Sequence, residues 1–241
     1  GIWDEKFLNY MGEVLSEQKE PFFSTMFTLT SHHPFVVPEE YEGVYPKGQT
    51  PNHQCVGYVD DAFRKFFAKY ENEEWFRNTV FVFVADHVSS EKMTEVFRRS
   101  PGDYHIFGFM YAPDSALFGE HRQVVSQIDI MPTLLGLMGN SEPYFAFGRD
   151  IFAEHSDEPF SLNYDNNVFQ AITSEYVVHF DEKQIVGVYR HSDLAKKHNL
   201  AAEVDLSALE QKIKAMIQSY YSRVENKDYI VHDSIPGDTT F

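Results

Sequence analysis

The stretch Thr79-Val80-Phe81-Val82-Phe83-Val84-Ala85-Asp86-His87 decides the fold class of this sequence. Its first seven residues are nearly all apolar and rich in β-branched and aromatic side chains. A continuous apolar run of this length is typical of a central strand in a parallel sheet, where helices cover both faces. Because the run stops at Asp86 and His87, we expect a carboxylate and an imidazole together at the carboxyl end of the strand.

Helices and strands alternate on either side of this run. Apolar residues recur at helical spacing over residues 3–18, 52–70 and 129–138, whereas residues 22–29 and 105–112 have the composition of strands. The first of these strands is expected to be buried. This order predicts an α/β fold with a mostly parallel sheet layered with helices, which binds ligands at the carboxyl ends of its strands.

The two long helices allow more specific predictions. Asp4 is a suitable N-cap for the first helix, because a short carboxylate can accept hydrogen bonds from the unpaired amides of a first turn. The second helix is expected to bury one apolar stripe. Its members are Val56, Val59, Phe63, Phe66 and Phe67.

The pattern changes after residue 158. Short strand-like runs at 168–173, 176–180 and 184–189 are separated by turn-prone residues, which predicts a small antiparallel meander. A final helix is predicted over residues 206–221. The expected boundaries are 1–157 for the layered α/β part, 158–224 for the antiparallel strands and terminal helix of the same domain, and 225–241 for a tail.

Composition excludes several classes of protein. Of the 241 residues, 43% are hydrophobic, which is enough to build a core and excludes wholesale disorder. The 20 Lys and Arg residues against 37 Asp and Glu residues give a net charge of −17, so neither nucleic acid nor an anionic membrane surface is an expected direct partner. No apolar run reaches the roughly 18–20 residues that cross a bilayer. The single Cys55 excludes a disulfide scaffold and is expected to be buried and inert.

Asp86 and His87 are the sharpest candidates for chemistry. A carboxylate oxygen and an imidazole nitrogen on a rigid strand end suit Mn²⁺, Zn²⁺ or a related divalent ion. Two ligands do not complete a metal site, however. The alternative is that Asp86 caps the following turn while His87 only packs.

Histidines elsewhere could converge on the same edge of the sheet. His32 follows the first predicted strand and could contact an oxyanion or assist a leaving group, unless it is only a loop histidine held by Pro34 and the backbone. His33 is the adjacent alternative. His105 opens a later strand and could reach the site from the side, although a purely structural role fits a lone histidine there.

Four other polar residues have simpler explanations. Lys92, Arg98 and Arg99 follow His87 and could steer an anion toward a metal, but such clusters are commonly solvated loops. Asp129 is expected to start a helix, with its carboxylate accepting hydrogen bonds from backbone amides.

Four motifs occur in the order found in a known family. They are Thr30-Ser31-His32-His33-Pro34-Phe35, then Val82-Phe83-Val84-Ala85-Asp86-His87, then Tyr104-His105-Ile106 leading to Tyr111-Ala112-Pro113, and last Ser126-Gln127-Ile128-Asp129-Ile130-Met131-Pro132-Thr133-Leu134-Leu135. The set resembles the sulfatase-like branch of the alkaline phosphatase superfamily, especially lipoteichoic acid synthases and phosphoglycerol transferases. The first motif resembles that branch's Ser/Asn-His-x-Pro-Phe/Tyr loop. The resemblance covers residues 1–155 directly and the remainder less distinctively.

The resemblance implies a metal-dependent hydrolase or phosphotransferase acting on sulfate or phosphate esters, including lipid-linked phosphoglycerol. By analogy, Asp86 and His87 would be ligands of one divalent metal, Mn²⁺ or else Zn²⁺, Mg²⁺ or Ca²⁺. His32 would be the catalytic, substrate-side histidine, and His105 a further substrate-binding residue. Relatives attack the ester with a threonine or formylglycine nucleophile.

Two departures from the family pattern qualify this interpretation. The first metal ligand and the nucleophile lie earlier in the family's domain than the helix that opens this sequence. Thr25, Thr28 and Thr30 come too late in the chain to match the nucleophile. Val88 follows His87 where many relatives have Gly.

The sequence is therefore expected to be the C-terminal part of such an enzyme and inactive alone. The resemblance places the parent protein outside the bacterial cytoplasmic membrane, in the periplasm or at the cell surface. The chain would meet the membrane only through an absent N-terminal anchor.

Two alternatives remain open. The chain could be a non-catalytic binding or structural domain that retains the sulfatase-like fold. It could also be a hydrolase of unrelated fold that uses Asp86 and His87 with additional ligands, for which Asp103 and His105 are the nearest candidates. A Thr, Ser or Cys in a strand-to-helix turn upstream of Gly1, preceded by an acidic residue, would favour the enzyme.

Overall fold

A computed structural model of the chain describes residues 1–113, 117–165 and 167–228. The chain divides into two compact units. The first comprises Gly1–Lys92 and Ile106–Gly119, and the second comprises Met93–His105 and Glu120–Phe241. The predicted tail falls largely outside the described residues. In the part of the chain that the structure describes, no helix is both long and apolar enough to cross a membrane.

Three helices build the first unit: α1 at Asp4–Glu17, α2 at Pro51–Tyr70 and α3 at Glu74–Arg77. The first two confirm the helices predicted from apolar spacing. The three helices together form a core whose buried members are Leu8, Leu15, Ala62, Phe66, Tyr70, Trp75 and Phe76.

The buried face of α2 differs from the predicted stripe. The buried residues of this helix are Cys55, Tyr58, Ala62, Phe66 and Tyr70. Val56 is 51% exposed, so its place in the stripe was wrong. The buried face follows i, i+3 and i+4 spacing and includes Ala62. Whether such a small residue is buried depends on the side chains of α1 that pack against it.

The apolar run 79–85 forms strand β1 at Phe81–Val84, and its partner is strand β2 at Gly108–Tyr111. The two strands are antiparallel, with Phe81 opposite Tyr111 and Val84 opposite Gly108. The prediction of a parallel, doubly covered central strand was therefore wrong for the described residues. An apolar run predicts a strand but does not specify the direction of the neighbouring strand, and the residues of β1 are only partly buried or exposed.

Residues 22–29 were predicted to form a buried strand, and this was also wrong. No strand is assigned there, and Phe23 is 85% exposed. The apolar and aromatic residues of this segment have high strand propensity. A segment forms a strand, however, only where another strand supplies hydrogen bonds.

The second unit opens with the single-turn helix α4 at Glu95–Arg98 and later contains helix α5 at Ile130–Leu137. Short 3₁₀ turns lie at Gly102–Tyr104 and Gln127–Asp129. Helix α5 confirms the prediction for residues 129–138.

A four-stranded antiparallel sheet and a long helix complete the second unit. The strands follow one another in the sheet in chain order: β3 at Ser161–Asp165, β4 at Val168–Ile172, β5 at Tyr176–Phe180 and β6 at Ile185–Arg190. The meander was predicted, except for β3. Helix α6 at Ser207–Asn226 runs five residues past its predicted end and packs Ile213 against Ala171, Val178, Phe180 and Val188.

Candidate active site

Asp86 and His87 directly follow the last backbone hydrogen bond of the β1–β2 pair. The amide of Ala85 donates to the carbonyl of Phe107 at 3.3 Å, which extends the pairing one residue beyond β1. The strand therefore holds the backbone up to Ala85, and the two candidate ligands emerge from a fixed end. Their side chains are 53% and 65% exposed, so both can be reached by a solute.

The two side chains are oriented toward each other. Nε2 of His87 lies 3.5 Å from Oδ2 of Asp86, while Oδ1 of Asp86 accepts a hydrogen bond from the His87 amide at 2.9 Å. Nδ1 of His87 lies 2.7 Å from the carbonyl oxygen of Val88. A carbonyl can only accept, so Nδ1 carries the proton and, in the neutral imidazole, Nε2 is left as a lone-pair donor.

This arrangement fits two ligands of a divalent cation. Metal-binding histidines ordinarily donate their other ring N–H to a carbonyl or carboxylate, as His87 does to Val88. One carboxylate oxygen and one imidazole nitrogen are a donor set for Mn²⁺ or Zn²⁺. Among the described residues, no group of three or more His, Cys, Asp or Glu side chains could hold a metal ion. Among those residues, Asp86 and His87 form a pair of candidate donors and not a complete metal site.

His32 lies on a tight turn in the same unit. Its amide donates to the carbonyl of Leu29 at 3.0 Å, and its own carbonyl accepts from the amide of Phe35 at the same distance. Its side chain is exposed, with Nδ1 3.2 Å from the carbonyl of His33. Phe35 is 7% exposed and fixes the far end of the turn in the interior.

The His32 turn meets the loop that follows His87. Nε2 of His33 lies 3.3 Å from Oγ of Ser90. Asn52, in the first turn of α2, donates from Nδ2 to Oγ of Ser89 at 3.5 Å. The sequence predicted that these loops would converge at the edge of a parallel sheet. Side-chain contacts join them instead, and nothing in the sequence singled out the two serines apart from their position after His87.

His105 belongs to the second unit, whereas Asp86, His87 and His32 belong to the first. Its side chain is exposed, and its ring centroid lies 6.4 Å from that of Phe97. Its amide donates to Gly102 at 3.2 Å. The substrate-binding role of His105 stays a prediction.

The two arginines that follow His87 are engaged locally. Arg98 and Arg99 each pair with Glu95 at 3.3 Å on the exposed helix α4. For these two arginines, the structure therefore agrees with the alternative that the cluster is a solvated surface segment. Lys92 lies in the first unit and the two arginines in the second.

Two structural assignments made from sequence are confirmed. Cys55 is fully buried, and burial raises the pKa of its thiol, as expected for an inert cysteine. Asp129 accepts hydrogen bonds from the amides of Ser126 at 2.7 Å and Arg149 at 2.9 Å. Asp129 therefore lies at the start of α5 as expected, but its carboxylate binds amides outside that helix and does not cap it.

Comparison with known proteins supports the motif pattern. A family model described as Sulfatase matches residues 1–140. Lipoteichoic acid synthase 1 of Bacillus subtilis (strain 168) is 26% identical over 200 residues, which are 76% of this chain and 31% of that protein. The lipoteichoic acid synthase of Staphylococcus aureus (strain USA300) is 26% identical over 171 residues, which are 64% of this chain and 26% of that protein.

Similarity of fold extends over nearly the whole chain. The crystal structure of a protein in the alkaline phosphatase superfamily from Vibrio parahaemolyticus superimposes with a TM-score of 0.76 at 24% identity. The match covers 96% of this chain and 57% of that one. The chain spans less than a third of the length of each of the two synthases. Because the family model covers more than half of its residues, this chain belongs to the sulfatase family, and its fold is that of the alkaline phosphatase superfamily.

Proposed function

We propose that this chain carries the metal-binding and substrate-side part of a sulfatase-family enzyme that acts on phosphate or sulfate esters. The observation that carries the proposal is the pairing of Asp86 and His87, in which Nε2 faces a carboxylate oxygen at 3.5 Å while Nδ1 is held by Val88. The contact of Nδ1 with Val88 supports a tautomer in which Nε2 can bind a cation beside the carboxylate.

Asp86 and His87 would hold one divalent metal, with Mn²⁺ preferred and Zn²⁺, Mg²⁺ or Ca²⁺ as alternatives. When bound, such an ion supplies positive charge against the oxygens of a tetrahedral ester and activates a nucleophile. The nucleophile and a further metal ligand are proposed to come from outside residues 1–241.

His32 would contact the ester group or protonate the leaving group. Its exposed ring and its fixed backbone suit a side chain that must meet substrate at a defined place. His105 is proposed as a second substrate contact.

The similarity to lipoteichoic acid synthases favours a lipid-linked phosphoglycerol ester as substrate. We further propose that the enzyme works outside the bacterial cytoplasmic membrane and is anchored there by a segment outside these residues. The net charge of −17 makes a metal centre the natural site for an anionic ester, since the protein as a whole repels anions.

Metal titration tests the site. Mn²⁺ and Zn²⁺ are titrated calorimetrically into the 241-residue chain and into a chain extended at its N-terminus. We expect weak binding to the first and tight binding to the second. In the extended chain, Asp86→Ala and His87→Ala should each weaken binding by at least roughly 100-fold, because losing a ligand costs more than the roughly 10–100-fold lost with an outer-shell partner. His121→Ala removes an exposed histidine of the second unit and serves as the matched control.

Equal affinity in the wild type and both ligand variants would overturn the site assignment. Turnover is followed with an aryl sulfate, an aryl phosphodiester and vesicles of a phosphoglycerol lipid. Tight metal binding with no turnover of any of these would favour the alternative, a non-catalytic binding domain with the same fold.

A further inference from the structure

A buried carboxylate at the start of α1 has no part in the proposed chemistry. Asp4 is 1% exposed, although it is charged and lies in the first turn of a helix. It does not cap that helix, because the N-cap is Trp3 and no side-chain cap hydrogen bond forms. Asp4 instead contacts a segment about 25 residues later in the chain.

The two oxygens of Asp4 hold two consecutive backbone amides. Oδ1 accepts from the amide of Leu29 and Oδ2 accepts from the amide of Thr30, each at 3.0 Å. A buried carboxylate is costly unless its oxygens are satisfied, and these charge-assisted bonds satisfy both. The positive end of the α1 dipole stabilises the same charge. With two successive amides fixed, both the position and the direction of the backbone at this point are determined.

The clamped residues are the base of the turn that carries His32. The carbonyl of Leu29 accepts the amide of His32 at 3.0 Å, and this carbonyl belongs to the same peptide unit as the Thr30 amide that Asp4 binds. Thr30 is 5% exposed while His32 is exposed. The turn is thus buried at its base and presents its histidine outward.

We propose that Asp4 is a positioning residue for His32, acting through the backbone of Leu29 and Thr30. The inference deepens the proposed function and rests on the role given there to His32. It assigns to the first turn of α1 the task of placing a substrate-side histidine.

The contact itself is tested by hydrogen exchange in the 241-residue chain. Asp4→Asn keeps the shape of the side chain but replaces one acceptor oxygen with an N–H donor. We expect the amides of Leu29 and Thr30 to exchange about tenfold faster, since a bond to a charged acceptor is lost. The NMR signal of the His32 ring should shift, while that of His121 should not.

Glu5→Gln is the matched control. Glu5 lies in the same helical turn, but its carboxylate accepts from Tyr41 at 2.6 Å and Lys65 at 2.9 Å and has no bond to the His32 turn. This variant removes the same charge and a comparable number of hydrogen bonds. It should leave the Leu29 and Thr30 amides and the His32 signal unchanged.

A double-mutant cycle tests the consequence for catalysis in the N-terminally extended enzyme. Asp4→Asn should lower kcat/KM by about tenfold, in keeping with the sensitivity of catalysis to small displacements. Combined with His32→Gln, it should add nothing to the loss caused by His32→Gln alone, because both changes act through one side chain. Glu5→Gln combined with His32→Gln should give independent, additive effects.

Two results would overturn the inference: unchanged exchange at Leu29 and Thr30 in Asp4→Asn, or additive losses in the cycle. If His32→Gln leaves turnover intact, the proposed role of His32 fails instead, and the exchange data still decide whether Asp4 holds the turn. Should Asp4→Asn fail to fold, Asp4→Glu, which keeps the charge and displaces it by one methylene, is carried through the same measurements.

Discussion

At the scale of single residues, the aspartates of this protein take their roles from the hydrogen-bond donors around them. Asp4 holds two amides of the His32 turn, and Asp129 holds the amides of Ser126 and Arg149. Asp61, on α2, is surrounded by side-chain donors instead. Tyr45 donates to it at 2.8 Å, and Arg64 and Lys65 also bind it.

These partners make Asp61 a source of acid sensitivity. Burial alone would raise the pKa of its carboxyl, but the donated hydrogen bonds outweigh burial and lower the pKa to about 2. A folded-state pKa below the unfolded value of 3.8 adds stability above pH 4 or so, and this stability is lost as the pH falls from there to about 2. We expect Asp61→Asn to be less stable than wild type at pH 7 and to lose less stability between pH 4 and 2, measured by urea denaturation.

Asp60→Asn is the control for this prediction, since it removes an exposed carboxylate from the neighbouring position of the same helix. Its urea midpoints should follow those of the wild type across the pH range. Parallel curves for wild type and Asp61→Asn below pH 4 would contradict the assignment.

At the scale of elements, the first unit depends on close contact between α1 and α2. Gly12 of α1 faces the ring of Tyr70, and a β-carbon built on Gly12 would overlap that ring. The hydroxyl of Tyr70 donates to the carbonyl of Asn9 at 3.0 Å, which fixes the ring in place. Gly12 therefore leaves room for the Tyr70 ring, which would have to move to admit a side chain at this position.

Gly12→Ala should destabilise the protein even though alanine favours helix by roughly 1 kcal/mol over glycine. Overpacking of a tight contact typically costs about 1–3 kcal/mol, which exceeds the gain in helix propensity. Thermal and urea denaturation measure the difference. Glu13→Ala, at the exposed neighbouring position, is the control and should stay within about 0.5 kcal/mol of wild type. A stabilised Gly12→Ala would show that the contact relaxes without cost.

At the scale of the whole molecule, charge limits the choice of partner. The net charge of −17 produces a repulsive field for polyanions at neutral pH. We expect the chain to leave a duplex DNA probe unshifted in gel electrophoresis at about 50 mM salt, where basic proteins bind nonspecifically. A shift at low salt that disappears at high salt would reveal a basic surface that the net charge conceals.

Motif order and helical periodicity gave predictions of the family and of the helices that were confirmed. The spacing of apolar residues located α1, α2, α5 and α6, because a helix is made by contacts between residues three or four apart. The order of short motifs identified the sulfatase-like family, which the family match over residues 1–140 confirmed. The meander of the second unit was also local enough to predict, since each of its strands pairs with the next one in the chain.

Strand direction and long-range hydrogen bonds could not be predicted from local sequence patterns. The run 79–85 correctly predicted a strand, but its antiparallel partner lies some 25 residues later in the chain. Residues 22–29 have a similar composition and do not form a strand. Asp4 satisfied every local criterion for an N-cap. Its partners, Leu29 and Thr30, are set by how α1 packs, and no spacing rule reaches across that distance.

The sequence by itself determined helices α1, α2, α5 and α6, the acidic charge, the family and the candidate residues Asp86, His87 and His32, because each follows from residue type, near spacing or motif order. Only the tertiary structure decided that Nε2 of His87 faces Asp86, that His33 reaches Ser90, and that Asp4 holds the base of the His32 turn. These are contacts between groups whose positions depend on chain packing and on the need to satisfy buried charge.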